Sequence, residues 1–494
     1  MNGRPDSRLL RLFPLLLTPL VLFVNGYHPF ANDGGLYVAG IRHVLDPALY
    51  PRNAVFVAAF TQRSIFPWIV AGLVHLTRLP LSWILLATHL VSVWLFLFAA
   101  GRLASRLFTR PSARAFAILL AAACCALPAA GTALVPMDPY VTARSFSTPL
   151  SLLAVTATLD RHWARAILLV VVTFGVHPLM GAFTAAFVLL LALVGAGRIR
   201  TTLALCVTAF VAAGIAFGLA HGAPTDPAYR EAVSLAPRSF LFLARWRWFE
   251  ILGLILPLAL FALALRRFGA KTPGGALCLT SVFLGTTALL IAACFVPSAG
   301  PYPLVPLQVL RSFHLIYCIG IVLCGGVLAA RTSRTHNIVA TALIVCVLIA
   351  MFQVERVEWP GGRRLELPGA APANPWTQSF LWIRAHTPQN AVFAFDPQLV
   401  YRPGENEQGF RAVSERDQLA DDKDAGVAAV LPALAPRWAA QRNAEISVDS
   451  MSDARRRTTL IPLGATWLLL PPTAPTALPC PFRNRAVQVC RLTP

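Results

Sequence analysis

The sequence is short of charge. Of its 494 residues only 13% are Asp, Glu, Lys or Arg, about half of what a soluble domain carries. Lysine is almost missing: Lys271 and Lys423 are its only instances, and arginine takes its place. With abundant Ala and Pro, that is the composition of a GC-rich bacterial genome. The motifs of soluble enzymes are missing too. The chain has no Walker loop, zinc-ligand spacing, nucleophile elbow or dinucleotide fingerprint. His177 has no second metal ligand at helical spacing. No internal repeat is visible, which disfavours a transporter built on inverted repeats.

What the chain does have is apolar length. It is 56% hydrophobic, with a mean hydropathy of +0.63, and apolar runs recur along three quarters of it. That is a polytopic membrane protein. Eleven runs read as spans: 12–24, 82–100, 115–135, 146–159, 166–176, 181–194, 203–219, 251–265, 276–296, 314–330 and 338–352. Arg4, Arg8 and Arg11 before the first run also fit a signal peptide. No small-x-small site follows them, so an uncleaved first helix is expected.

The net charge of +20 raises the question of nucleic acid, and its distribution answers against it. Short Arg clusters sit between apolar runs, Arg102, Arg106, Arg110 and Arg114 being the clearest. With the N-terminus cytoplasmic, the inner segments hold 16 Lys/Arg against 2 Asp/Glu and the outer loops 10 against 6. This is the positive-inside bias. It points to a multi-pass protein of a bacterial inner (cytoplasmic) membrane whose C-terminal part lies outside, in the periplasmic or extracellular space.

Two domains are expected: a polytopic all-α membrane domain over 1–353, with about 11 transmembrane helices, and a small α/β extracytoplasmic domain over 354–494. The first outer loop, 25–81, is expected to hug the membrane. Its apolar stretch 65–76 is too short to span ~30 Å, and with Trp68 inside and Arg63 and Arg78 at its ends it reads as an interfacial helix. In the tail, Asn374-Pro375-Trp376 is a helix start and Thr387-Pro388 its end. Residues 391–395 and 465–470 read as strands and 432–443 as helical. Cys480 and Cys490 bracket a final hairpin, and in an oxidising compartment a disulfide is expected there. The other eight cysteines lie in or beside apolar runs and read as small core residues. The acidic run Asp417, Asp421, Asp422 and Asp424 reads as a solvated face. It lacks the glycine of a calcium loop.

The candidate chemistry lies in the outer loops. Asn32-Asp33-Gly34-Gly35 follows the first span and carries the first carboxylate after it. Asp138, Arg144, His177, Arg311 and His314 fall on the same predicted side. Each has a plain alternative: Asp33 can cap the next helix, Asp138-Pro139 can be a turn, and His177 before Pro178 can be a helix end. Arg311 can pair with a phosphate or carboxylate of a ligand, or with the tail.

The order of a basic start, one span, an outer loop with an early carboxylate, an interfacial helix and a second acid in the next outer loop resembles the GT-C superfamily of polytopic glycosyltransferases. Asn32-Asp33-Gly34-Gly35-Leu36-Tyr37 is similar to its first-loop acidic motif, 102–108 to its basic first inner loop, and Met137-Asp138-Pro139 to its second-loop acid. The stretches 380–388 and 409–413 resemble bacterial membrane proteins of this build. Where the family often has a paired acid, this chain has Asn32 before Asp33, which counts against metal binding by a pair. The resemblance implies transfer of a sugar from a polyprenyl-phosphate donor at the outer face, with membrane lipid as the donor's anchor. It implies Asp33 as catalytic base, Arg311 and Arg144 on the phosphate, and Asp138, His177 and His314 around the substrates. A non-catalytic scaffold of the same build, binding a lipid-linked glycan or a partner protein, is the alternative. The cofactor is unknown; a divalent metal is conceivable but without support in the residues.

Overall fold

A computed structural model describes residues 9–222, 224–329 and 334–493, with the backbone alone at Leu9, Leu10, Arg11, Phe60 and Arg334. The protein is mostly helical, with a small sheet near its C-terminus. In chain order, α1 (Leu9–Asn25) is followed by the short α2 (Asn32–Leu45), α3 (Ala54–Thr61) and α4 (Phe66–Thr77). Then come α5 (Leu81–Leu107), α6 (Pro111–Ala123), α7 (Ala143–Leu159), α8 (Trp163–Val176), α9 (Pro178–Gly195) and α10 (Ile199–Ala220). The short α11 (Pro227–Ser234) precedes α12 (Trp248–Phe268), α13 (Pro273–Phe295), α14 (Phe313–Leu328) and α15 (Arg334–Glu358). The C-terminal part holds α16 (Pro375–His386), α17 (Phe410–Ser414), α18 (Ala425–Val430), α19 (Ala435–Glu445) and α20 (Asp453–Leu460).

Among the described residues, seven helices are long and apolar enough to cross a membrane: α5, α9, α10, α12, α13, α14 with the turns before it, and α15. Eleven were expected. The other four runs form α1, α6, α7 and α8, which do not reach that standard. Helix α6 shows why. It stops at Ala123 instead of continuing to 135, because Pro128, Gly131 and Pro136 interrupt the run and Ala130 and Ala133 adopt left-handed φ of 51° and 56°. Its 13 residues cover roughly 20 Å at 1.5 Å each, short of the ~30 Å hydrocarbon core. Helix α7 is limited by polarity: Ser145, Ser147, Thr148, Ser151, Thr156 and Thr158 are all buried along it.

The chain forms two compact units. One comprises Met1–Gly26, Ala87–Thr225 and Ser239–Glu355; the other comprises Tyr27–Leu86, Asp226–Arg238 and Arg356–Pro494. This differs from a single cut at 353/354: the first loop belongs with the tail. The reason is backbone pairing. Tyr27 N donates to Arg364 O (2.8 Å) and Glu366 N to Tyr27 O (2.9 Å), while Asn32 N donates to Glu407 O and Gly409 N to Phe30 O, both at 2.8 Å. We call the two the helical unit and the mixed unit.

In the helical unit, Phe96, Leu103, Phe187, Phe261, Phe313 and Ile316 lie in one continuous buried core. Close approach of α14 to α6 depends on glycine, as in membrane helix pairs generally. A Cβ at Gly325 would sit 2.7 Å from Phe116 O, and one at Gly326 would sit 2.0 Å from the Phe108 ring.

The mixed unit is built on five strands, β1 (Val392–Ala394), β2 (Asp417–Gln418), β3 (Trp467–Leu470), β4 (Phe482–Arg483) and β5 (Gln488–Arg491), in the order β2-β1-β3-β5-β4. The pairs β1–β2 and β1–β3 are parallel; β3–β5 and β4–β5 are antiparallel. One face packs Phe380, Ile383, Phe393, Phe410 and Trp467 together, the other Val392, Leu468, Leu470 and Leu460. Helix α16 starts as its sequence dictates: Asn374 Oδ1 accepts from Trp376 N at 2.8 Å with Pro375 at the first helical position.

Candidate functional site

The predicted residues fall into two clusters, one in each unit. In the mixed unit, α2 begins at Asn32, whose φ is +48°. Asp33 lies inside the first turn, and the cap position is Ala31 without a side-chain bond. Asp33 is therefore not the cap. It sits where the positive end of the helix dipole favours a carboxylate. Its Oδ1 is 3.8 Å from Lys423 Nζ, and the same ammonium donates to Glu407 Oε2 at 2.9 Å and to Asn32 Oδ1. One of the chain's two lysines thus ties three side chains of this corner together. Lys423, Glu407 and Gln408 were not picked out from the sequence. The rarity of lysine was the one signal that could have found the first.

Behind this corner the acidic run is not a solvated face. Asp417, Asp421, Asp422 and Asp424 are all buried. Each is held by donors, which is what burial of a charge demands. Asp417 Oδ2 accepts from Arg52 N (2.9 Å) and Asn53 N (3.0 Å). Asp421 Oδ1 accepts from the Lys423 and Asp424 amides, both at 2.9 Å, and Oδ2 from Gln418 Nε2 at 2.8 Å. Asp422 accepts from Arg442 Nε at 2.8 Å. Arg411 Nη1 reaches both oxygens of Asp424, at 3.0 and 2.9 Å. Burial still dominates at Asp424, whose carboxyl is pushed up to about 7 although Arg411 pulls the other way. Burial also pushes Glu405 and Glu445 well above the usual carboxylate range.

A cavity of about 30 Å³ opens among Asn32, Glu407, Gln408, Lys423, Asp421 and Asp424, room for a water or two. Gln408 lines it, is fully buried, and has no partner for either amide atom among the described residues. No group of three or more His, Cys, Asp or Glu side chains among the described residues could hold a metal ion.

In the helical unit, Asp138 and Arg144 are both buried and form an ion pair of 3.1 Å at the start of α7. Thr142 N donates to Ser145 Oγ at 3.0 Å and fixes that helix start. His314 is buried in the first turn of α14, and its Nε2 donates to Val135 O at 3.0 Å. Arg144 and Arg311 both act electrostatically on its ring. Arg311 lies on the turn Val309–Ser312, its guanidinium 4.7 Å from the centre of the Phe240 ring, a cation–π distance. Arg311 also borders a small cavity of about 10 Å³ lined by Ser147, Thr148, Ser151, Thr184 and His314. Ser151 and Thr184 share a hydrogen bond of 2.6 Å across α7 and α9. His177 ends α8 and caps α9, its Nδ1 accepting from Met180 N at 3.5 Å. Its neighbour Met180, not His177, lines the cavity.

Four of the predicted residues, Asp138, Arg144, Arg311 and His314, thus gather in one cluster with two guanidinium groups against one carboxylate. Their hydroxyl neighbours on α7 and α9 went unnoticed in the sequence, because Ser and Thr read as ordinary helix residues there. Asp33 belongs to a separate, mainly acidic cluster. Cys480 and Cys490 are bonded to each other at the closing hairpin.

Compared with known proteins, the chain matches no family model and no curated protein sequence.

Proposed function

We propose that this protein is a multi-pass glycosyltransferase of the bacterial inner membrane, moving a sugar from a polyprenyl-phosphate donor to an acceptor at the outer face. The proposal takes eleven passes, a cytoplasmic N-terminus and a mixed unit outside, following the charge bias. The observation that carries it is the cluster of buried Arg144 and His314 with half-buried Arg311, where Arg311 and His314 line a small cavity with Ser147, Thr148, Ser151 and Thr184. Ionisable groups among membrane helices are costly and mark function, and guanidinium groups with hydroxyls are the chemistry that holds phosphate. Arg311 and Arg144 stabilise the departing phosphate. Asp138 orients Arg144, and His177 and His314 shape the surroundings. The resemblance alone assigns Asp33 as the base, which would take the proton of the acceptor hydroxyl as its oxygen bonds to the anomeric carbon and the carbon–phosphate oxygen bond breaks. The phosphate leaves as a stable anion, so no strong acid is needed.

A second reading has its own support. Lys423 ties Asp33 to Asn32 and Glu407, as a structural carboxylate would be tied. That favours a scaffold binding a lipid-linked glycan without turnover. Purified protein in nanodiscs separates the two. Transfer from a synthetic polyprenyl-phosphate sugar, lost in Asp33→Asn, supports the enzyme. Undiminished transfer by Asp33→Asn overturns the base. Binding of polyprenyl phosphate that weakens in Arg311→Gln, without turnover of any donor, supports the scaffold.

A further inference from the structure

The mixed unit carries a second opening, away from the Asp33 cluster, which the proposed transfer does not use. It is an open groove of about 660 Å³ bordered by Trp382, His386, Pro388, Trp467, Pro481 and Arg491, within the ~300–1,000 Å³ of small-molecule sites. Its wall is a stack of rings. Trp382 stands against His386 with ring centres 4.7 Å apart and planes 9° apart, and against Phe482 at 5.0 Å and 28°. The stack is held from below. His386 Nδ1 donates to Trp382 O at 2.9 Å, which leaves Nε2 for a ligand. Cys480, on the groove's rim, is bonded to Cys490 in β5.

The groove's charge has one sign. After Asp453 the chain has no acid in its last 41 residues and six arginines, at 455, 456, 457, 483, 485 and 491. Arg491 lines the groove at the exposed end of β5. It makes no ion pair among the described residues. A flat, rigid apolar wall with outward donors of positive charge suits a ligand with flat C–H faces and carboxylates at its rim.

We propose that this groove binds an acidic saccharide, a uronate-bearing oligosaccharide whose rings lie along the Trp382–His386 wall and whose carboxylate meets Arg491. Guanidinium groups pair with carboxylates in two-point geometry. The ring wall contributes apolar contact at little cost in side-chain entropy. This binding stands whether or not Asp33 acts as a base.

The test uses the full chain in nanodiscs of neutral lipid and reads tryptophan fluorescence, since Trp382 and Trp467 both border the groove. Trigalacturonate should bind saturably, and more weakly as salt rises. The variant Arg491→Gln should weaken it about three- to fivefold, the loss expected of one partly exposed charged contact, with melting unchanged. Maltotriose, which has the rings without the charge, should bind at least as weakly as the variant binds trigalacturonate. Where Trp382→Ala fails to fold, His386→Ala tests the wall and should lower affinity several-fold. The proposal is overturned by absence of saturable trigalacturonate binding, by equal binding in Arg491→Gln, or by tighter binding of a proline-rich peptide or of phosphatidylglycerol vesicles.

Discussion

Gly35 and Gly409 pack backbone against backbone. A Cβ added at Gly35 would lie 2.8 Å from Gly409 Cα and 2.6 Å from Phe30 O, and one added at Gly409 would lie 2.7 Å from Gly35 Cα. The second glycine of the Asn-Asp-Gly-Gly motif is thus a packing residue that lets α2 meet α17. Gly35→Ala or Gly409→Ala should each destabilise the mixed unit by about 1–3 kcal/mol, the usual result of overpacking where backbone cannot yield. Gly72→Ala on α4 is the control, since nothing lies within 4 Å of its added carbon. It should be neutral or stabilise by about 0.5–1 kcal/mol through helix propensity. Differential scanning fluorimetry of the purified variants checks the order.

The same contact shows what the sequence made legible and what it did not. The stretches 32–37 and 409–413 were singled out separately, and the fold joins them through these two glycines. Nothing in one-dimensional pattern announces a contact across more than 370 residues. Periodicity and caps were local, so α16, β1, β3 and the closing hairpin were readable to within a few residues. The acidic run was misread because a single sequence does not show that Arg411, Arg442 and the amides of Arg52 and Asn53 would come to meet it. Strand β2, only Asp417–Gln418, was missed because a buried aspartate contradicts strand composition. Seven described helices reach spanning length and hydropathy where eleven were expected, and at α6 hydropathy does not register Pro128 and Gly131 ending the helix early.

Arg411 is the keystone of the buried acidic run, bonded to Asp424 and 3.9 Å from Asp417 Oδ1. Arg411→Met should cost about 3–5 kcal/mol, the penalty of leaving a buried charge without its partner. Asp424→Asn in the same chain should recover a good part of that loss. A double-mutant cycle in urea, followed by tryptophan fluorescence, measures the coupling.

The buried carboxyls give the mixed unit an acid-side stability. Asp424 titrates at about 7 when folded, against roughly 3.9 in an unfolded chain. The folded state therefore holds the extra proton between those values, so stability is full below about 4 and falls as pH rises through about 7. Its slope is up to about 1.4 kcal/mol per pH unit per proton. Glu445, raised the same way by burial, adds to the fall above its ordinary value. Glu445→Gln keeps the acceptor for Phe395 N and removes the titration. Its melting temperature should depend less on pH, with a gain over the natural chain at pH 8 and little difference at pH 4.

Cys480 and Cys490 close a short loop, and reducing them should lower stability by about 2–3 kcal/mol on the chain-entropy account. The effect should stay local to the hairpin: hydrogen exchange should speed at β4 and β5 after reduction, while α14 and α13 exchange unchanged.

The Asp138–Arg144 pair offers the matching experiment in the helical unit. Both side chains are buried and 3.1 Å apart, so neither is cheap to leave alone. Asp138→Asn keeps shape and hydrogen-bonding capacity but removes the counter-charge. It should destabilise by about 3 kcal/mol or more. It also leaves the cluster of Arg144, Arg311 and His314 more positive, so it should tighten binding of an anionic headgroup even as the fold weakens. Arg144→Gln should do the reverse to binding while also lowering stability. Binding of polyprenyl phosphate to both variants, measured beside their melting temperatures, separates the two roles. If both variants lose stability and bind the lipid alike, the pair is structural. If affinity moves in opposite directions, the pair sets the charge of the phosphate site.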